Sequence, residues 1–213
     1  MDKIERFFKK VNGSIFIFLG LAISVITIIM AVLLYTSTGT SYSIFTHYIS
    51  DLGAVYSAPN NAHVVFTIGM VLQSCVQPFT ALFLFYFLRK KGTDKRLTNI
   101  WLACSVLSFI GTVMAGIFPE DSWKHYHFYG AFLVFFFGMI SHGFFGLASI
   151  ATSTISNRHA FPGLLVATIN TIFMFLYISN VPQSAVTFFE WMSLFSGWIF
   201  SIDIGIYTLK TQY

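Results

Sequence analysis

The sequence predicts an all-α, polytopic membrane protein: a bundle of six transmembrane helices with a short amphipathic interfacial helix in the first exoplasmic loop. Three observations carry this. Of the 213 residues, 56% are hydrophobic and only 9% are charged, against about 25% charged in a soluble domain, so most of the surface must face lipid. Six apolar runs, at about 14–35, 63–88, 97–118, 127–150, 161–179 and 185–209, each reach the ~20 residues that cross a bilayer. The runs are continuously apolar instead of alternating, which suits helices that satisfy their own backbone hydrogen bonds in lipid and not the strands of a barrel. One membrane domain over 1–213 is expected, with no room for a separate soluble one.

The first span follows Lys3, Arg6, Lys9 and Lys10. Such a flank resembles the start of a signal peptide, but the apolar run is too long for one and lacks a small-residue cleavage site, so it is expected to stay as an anchor. No lipidation motif stands at either end. The sequon Asn12-Gly13-Ser14 falls on the same side as the basic flank and is not expected to be glycosylated.

After the first span, residues 36–62 form the longest connection. Ile44, Phe45, Tyr48, Ile49 and Leu52 recur at helical spacing, with His47, Ser50, Asp51 and Ala54 on the other side and Gly53 placed as a stop. This pattern predicts the short amphipathic helix, lying at the membrane surface with His47 and Asp51 at i and i+4 on one face. The second loop is basic, with Arg89, Lys90, Lys91, Lys95 and Arg96. The third, FPEDSWKHYHFYG, supplies Glu120, Asp121, Lys124, His125 and His127. Arg158 lies in the fourth and Lys210 in the tail. Eleven of the twelve Lys and Arg residues therefore sit on one side, with only Lys124 opposite, and basic residues are retained in the cytoplasm. Both termini are expected there. The net charge of +4 is then a topogenic signal with some attraction for anionic lipid, and nothing supports nucleic-acid binding.

Within the spans, Cys75 and Cys104 read as small apolar groups rather than a disulfide pair. Gly111 with Ala115, and Ser193 with Gly197, have the small-x-x-x-small spacing that brings helices close. Glu190 stands about one and a half turns into the sixth span. A carboxylate there is costly unless paired or hydrated, so it is expected to point into the bundle, with His127 as a candidate partner. By the 1.5 Å rise per residue, His142 lies about 22 Å below the outer end of the fourth span and Asp203 about 27 Å below that of the sixth. Both fall in the inner half, and they are expected to meet as a buried pair.

YISDLG after the first span, GIFPED followed by His127 and the Gly130-Ala131 pair, and Glu190-Trp191 in the sixth span have the order and spacing of a known group. Together they resemble the Frag/DRAM/Sfk superfamily of six-helix membrane proteins and the prokaryotic domain-of-unknown-function 998 family, over nearly the whole chain. DRAM-type members continue the Ile-Ser-Asp motif into a Pro-Glu pair, where this chain has Pro59 followed by Asn60 and Asn61. The resemblance implies a six-helix fold and, from eukaryotic relatives, roles in autophagy, lipid-anchor maturation or lipid organisation. It implies no reaction.

Three function classes follow. The first is a lipid-associated regulator or scaffold with membrane lipids as partners. Its exoplasmic polar site is built on Asp51, His127 and Glu190, with His47, Glu120 and His125 nearby. A histidine between two carboxylates would have its charged form favoured, clamping the loop as a lid. The second is a membrane-embedded hydrolase in which His47, Asp51, His127 and Glu190 are candidate ligands for a divalent metal such as zinc, activating water. The third is a small transporter with Gln73, Gln77, Asn170, His142 and Asp203 along its path, although no paired broken helices or inverted repeats are visible.

Overall fold

The structure, a computed structural model, describes residues 3–179 and 181–211; within the first helix it describes the side chains of 6–8 and 10. Among the described residues seven α-helices follow one another: α1 (Lys3–Lys10), α2 (Ser14–Thr36), α3 (Ala62–Lys90), α4 (Lys95–Ile117), α5 (Lys124–Ala151), α6 (Ala160–Ile178) and α7 (Gln183–Thr211). Six of them, α2 to α7, are long and apolar enough to cross a membrane. The chain is a multi-pass membrane protein, and the six spans agree with the apolar runs of the sequence to within a few residues. Lys3 and Lys9, counted in the basic flank, fall outside the described side chains.

Local chemistry sets the boundaries. Asp94 caps α4, its Oδ1 accepting from the N–H groups of Arg96 at 2.7 Å and Leu97 at 3.1 Å. The same Leu97 and Arg96 bonds hold its carboxyl below the usual range. Asn60 and Asn61 both take left-handed backbone angles, φ 52° and 58°, conformations asparagine tolerates better than most residues. The Pro59-Asn60-Asn61 stretch is thus a tight turn into α3, secured by Asn60 Nδ2 donating to Ser37 Oγ at 2.7 Å. Helix α1 was not anticipated. It lays Phe8 on Phe83 of α3, ring centroids 5.5 Å apart, while Arg6 and Lys10 stay exposed.

The expected amphipathic helix is present only as a four-residue 3-10 turn, Ser50–Gly53. Side-chain carboxylates take backbone N–H groups that a longer helix would have used. Gly53 ends that turn, and its constraint is a close approach: a Cβ there would lie 2.6 Å from the Phe66 ring.

Each span packs most extensively on its neighbours in sequence, and α7 returns to α2, so the six spans close into a ring. At Gly111 and Gly130 the backbones of α4 and α5 nearly touch: a Cβ on Gly111 would stand 2.6 Å from the Gly130 carbonyl oxygen. The expected close packing at Gly111 is present. Two apolar cores plug the ring. At the end carrying the termini, Phe8, Leu84, Leu88, Trp101, Phe145 and Ile204 pack together with neighbouring rings. At the other end, Leu52, Ala54 and Ala58 of the long loop are buried among Ile28, Tyr35, Phe66 and Trp191. Between the two cores the ring is hollow.

Candidate functional site: a cavity under a clamped loop

The long loop closes one end of the ring, and carboxylates from three directions hold its backbone. Glu190 of α7 accepts the Ile49 N–H on Oε2 at 2.9 Å. Asp121, from the α4–α5 connection, takes the N–H groups of Val55 at 3.1 Å and Tyr56 at 2.6 Å. Asp51 turns back on its own loop to accept from the Tyr48 N–H at 2.8 Å. Glu120 accepts the Ser50 hydroxyl at 2.6 Å. Trp191 Nε1 donates to the His47 carbonyl at 3.2 Å, and the Tyr42 hydroxyl donates to the Tyr48 carbonyl at 2.7 Å. Leu52, with no exposed surface, is the apolar anchor beneath.

These environments shift the loop's ionisable groups in opposite directions. Burial pushes the Asp51 carboxyl up, against the opposing pull of the Tyr48 N–H. Asp121 goes the other way: its slight burial would raise it, but the N–H groups of Tyr56 and Val55 together with Ser122 and Ser57 hold it below the usual range. Burial, with the nearby Glu190 and Asp51 charges, raises the Tyr42 hydroxyl, and burial with Glu190 raises Tyr48 to about 12.

Beneath the loop lies a cavity of about 690 Å³ to which all six spans contribute. Ile49, Ser50, His127 and Glu190 line its loop end; Gln73, Gln77, His142 and Asn170 line its middle; Ile17, Leu84, Trp101 and Phe200 form its floor. Walls of Phe66, Met70, Phe109 and Phe135 are apolar. Its size falls within the ~300–1,000 Å³ range of small-molecule sites, and a mostly apolar lining with a few placed polar groups is their usual character.

A family model described as Protein of unknown function (DUF998) matches residues 18–206. The chain belongs to the DUF998 family. No curated protein and no solved structure matches the chain. The matched residues include every carboxylate that holds the loop and all the cavity lining except Ile17.

In this DUF998 protein the residues singled out from sequence are distributed as follows. Glu190 does point into the bundle, and it shares the cavity with His127, but the two form no hydrogen bond. His127 Nδ1 is instead 2.8 Å from the Phe118 carbonyl, tying α5 to the end of α4. Asp51 belongs to the loop's own turn. His47 stacks on Tyr42 with centroids 4.8 Å apart, and its Nδ1 is 2.8 Å from Thr46 Oγ1. His125 is exposed. Among the described residues no group of three or more His, Cys, Asp or Glu side chains could hold a metal ion, so His47, Asp51, His127 and Glu190 do not form the ligand set considered for zinc. The reason is that each is turned toward a separate backbone or hydroxyl partner.

The expected His142–Asp203 pair is also corrected. Asp203 Oδ2 is 2.7 Å from His159 Nδ1, and His159 in turn accepts from Arg158 Nε at 3.1 Å and stacks on Tyr207. Depth arithmetic placed His142 in the right half, but the start of α6 packs on α7 at the level of Asp203, whereas His142 meets Phe200. His159 was missed by sequence reasoning; its signal was the adjacent basic Arg158 at the mouth of a span. Gln73 and Gln77 both line the cavity, and Gln77 Oε1 is buried without a partner. Ser193 bonds to Asn170 across α6 and α7. Gly197 faces open cavity space with nothing within 4 Å of a built Cβ, so it does not serve close helix packing.

Proposed function

We propose that this DUF998 protein is a lipid-associated regulator or scaffold that holds a membrane amphiphile inside its helix ring, beneath a loop clamped by carboxylates. The single observation that carries this reading is the cavity. A largely apolar space between two packed cores, with polar groups at one end and at mid-depth, matches a molecule that has a chain and a headgroup. His127 to His142 along α5 spans about 22 Å at 1.5 Å per residue, enough for a long hydrocarbon chain. The distribution of basic residues supports cytoplasmic termini and an exoplasmic loop. The resemblance to the Frag/DRAM/Sfk superfamily, whose eukaryotic members have lipid-linked roles, points the same way.

Gly197→Phe tests the reading. A Cβ at Gly197 meets nothing within 4 Å, so the new ring is directed into the cavity from α7. Lipid extracted from the purified wild-type protein is expected to contain one species at near-equimolar amount, and the variant is expected to lose it while keeping its helical content. Equal lipid on both proteins would remove the reading.

A further inference from the structure

With Glu190 ionised, the hydrogen-bonding capacity left free at the loop end of the cavity is of one kind. His127 Nδ1 faces a carbonyl oxygen, which can only accept, so that nitrogen carries the proton and neutral His127 offers Nε2 as an acceptor. Glu190 is 7% exposed. Its Oε2 is taken by the Ile49 N–H, and Oε1 has no partner among the described residues. Ser50 donates its hydroxyl proton away from the cavity, to Glu120.

The pattern continues at mid-depth. His142 Nδ1 is 2.8 Å from the Gly138 carbonyl, leaving its Nε2 as an acceptor. The hydroxyls of Ser105, Ser108 and Thr112 all donate to backbone carbonyls, which leaves lone pairs facing outward. Gln77 Oε1 is buried and unpartnered. The amide nitrogens of Gln73, Gln77 and Asn170, the hydroxyls of Ser24, Thr27 and Thr80 and the Trp101 Nε1 line the cavity as donors with no acceptor among the described residues, all of them below the loop end. No Lys or Arg lines the cavity. A buried carboxyl without a cation is costly in its ionised form.

We infer that the cavity takes a cationic amphiphile, whose amine or ammonium group sits against Glu190 and whose chain runs toward Leu84 and Trp101. This rests on the reading of the cavity as an amphiphile site. An ammonium supplies both things the loop end lacks: hydrogen-bond donors for Glu190 Oε1 and His127 Nε2, and the charge that a carboxylate in an apolar surround requires. A neutral alcohol supplies only the donor, and an anionic headgroup supplies neither.

The test uses the purified full chain in one detergent and three probes of equal chain length, dodecylamine, dodecanol and dodecanoate. Quenching or shift of tryptophan fluorescence reports binding, since Trp101 and Trp198 line the cavity. The amine is expected to bind at least about tenfold more tightly than the alcohol, with dodecanoate weakest. Glu190→Gln should erase most of that preference, lowering amine binding by far more than dodecanol binding, and Gly197→Phe should weaken all three. Equal affinity for amine and alcohol in the wild type, or an undiminished preference in Glu190→Gln, overturns the cationic assignment and leaves the amphiphile reading standing. Should Glu190→Gln fail to fold, the wild-type ratio alone decides. No saturable binding of any probe, or the same binding in Gly197→Phe, removes the amphiphile reading and the assignment with it.

Discussion

Glu190 is where residue chemistry and loop placement meet, because one oxygen holds the Ile49 N–H and the other faces the cavity. Replacing it with Leu removes the acceptor of the Ile49 N–H at the edge of a nonpolar space. Leaving a buried donor without its acceptor costs about 1–3 kcal/mol, so Glu190→Leu is expected to raise amide exchange at Ile49 and its neighbours by roughly one to two orders of magnitude. Glu190→Gln, which keeps a carbonyl acceptor, should raise it far less. Equal exchange in wild type and Leu variant would show that the bond does not hold the loop. That Glu190 mattered was legible in the sequence, since a lone carboxylate inside an apolar run has to face inward. Its partner was not legible. Titratable residues suggest one another as partners when read in a line of letters, whereas the actual partner is a backbone N–H of Ile49, which has no distinguishing letter. The same holds for Asp121, which bonds the main chain of Val55 and Tyr56.

At the scale of elements, the loop is the part whose sequence pattern misled. Ile44, Tyr48, Ile49 and Leu52 have helical spacing, yet the carboxylates of Asp51, Glu190 and Asp121 draw off the backbone donors, and over this stretch the Ser50–Gly53 3-10 turn is what forms. Side chains that bond nearby backbone compete with a helix in this way. The clamp on the loop has a pH dependence with a definite sign. Asp121 has a folded pKa below its ordinary value of 3.8, so its contribution is fully present above that value and is lost as pH falls through the lowered one. Asp51 is raised, so its ionised form is disfavoured in the folded protein and protonation on mild acidification does not release the loop. Exchange protection of the Val55 and Tyr56 amides, corrected for intrinsic rates, is therefore expected to persist through mild acid and to fail only below the ordinary aspartate range. Asp121→Ala should abolish it at neutral pH. Loss of protection well above pH 3.8 in the wild type would contradict the assignment.

For the whole molecule, the spans were legible because lipid demands long apolar runs, but the ring was not. A helix with lipid on one face and a packed core on the other is apolar all round, so periodicity does not say which residues face inward. Gln73, Gln77, His142 and Asn170 stood out as polar letters within apolar runs; that they line one space follows only from the closure of α7 on α2. The two glycines Gly111 and Gly197 separate packing from cavity. Gly111→Ala places a methyl 2.6 Å from the Gly130 oxygen and the Val134 nitrogen, and overpacking of this kind costs about 1–3 kcal/mol. Gly197→Ala meets nothing within 4 Å. Thermal unfolding in detergent is expected to show a clear drop for the first and little change for the second; similar drops would mean that the α7 face is packed. Orientation is tested by a cysteine placed at Ser57 in a background lacking Cys75 and Cys104. It should react with an impermeant reagent from the exoplasmic side, and labelling from the cytoplasm alone would reverse the topology. An experimental structure of the protein in native lipid tests most directly whether the ring encloses a bound amphiphile. Elongated density running from Glu190 and His127 toward Leu84 and Trp101 is the predicted result, and a cavity collapsed by side-chain packing, or filled only with ordered water, would contradict it.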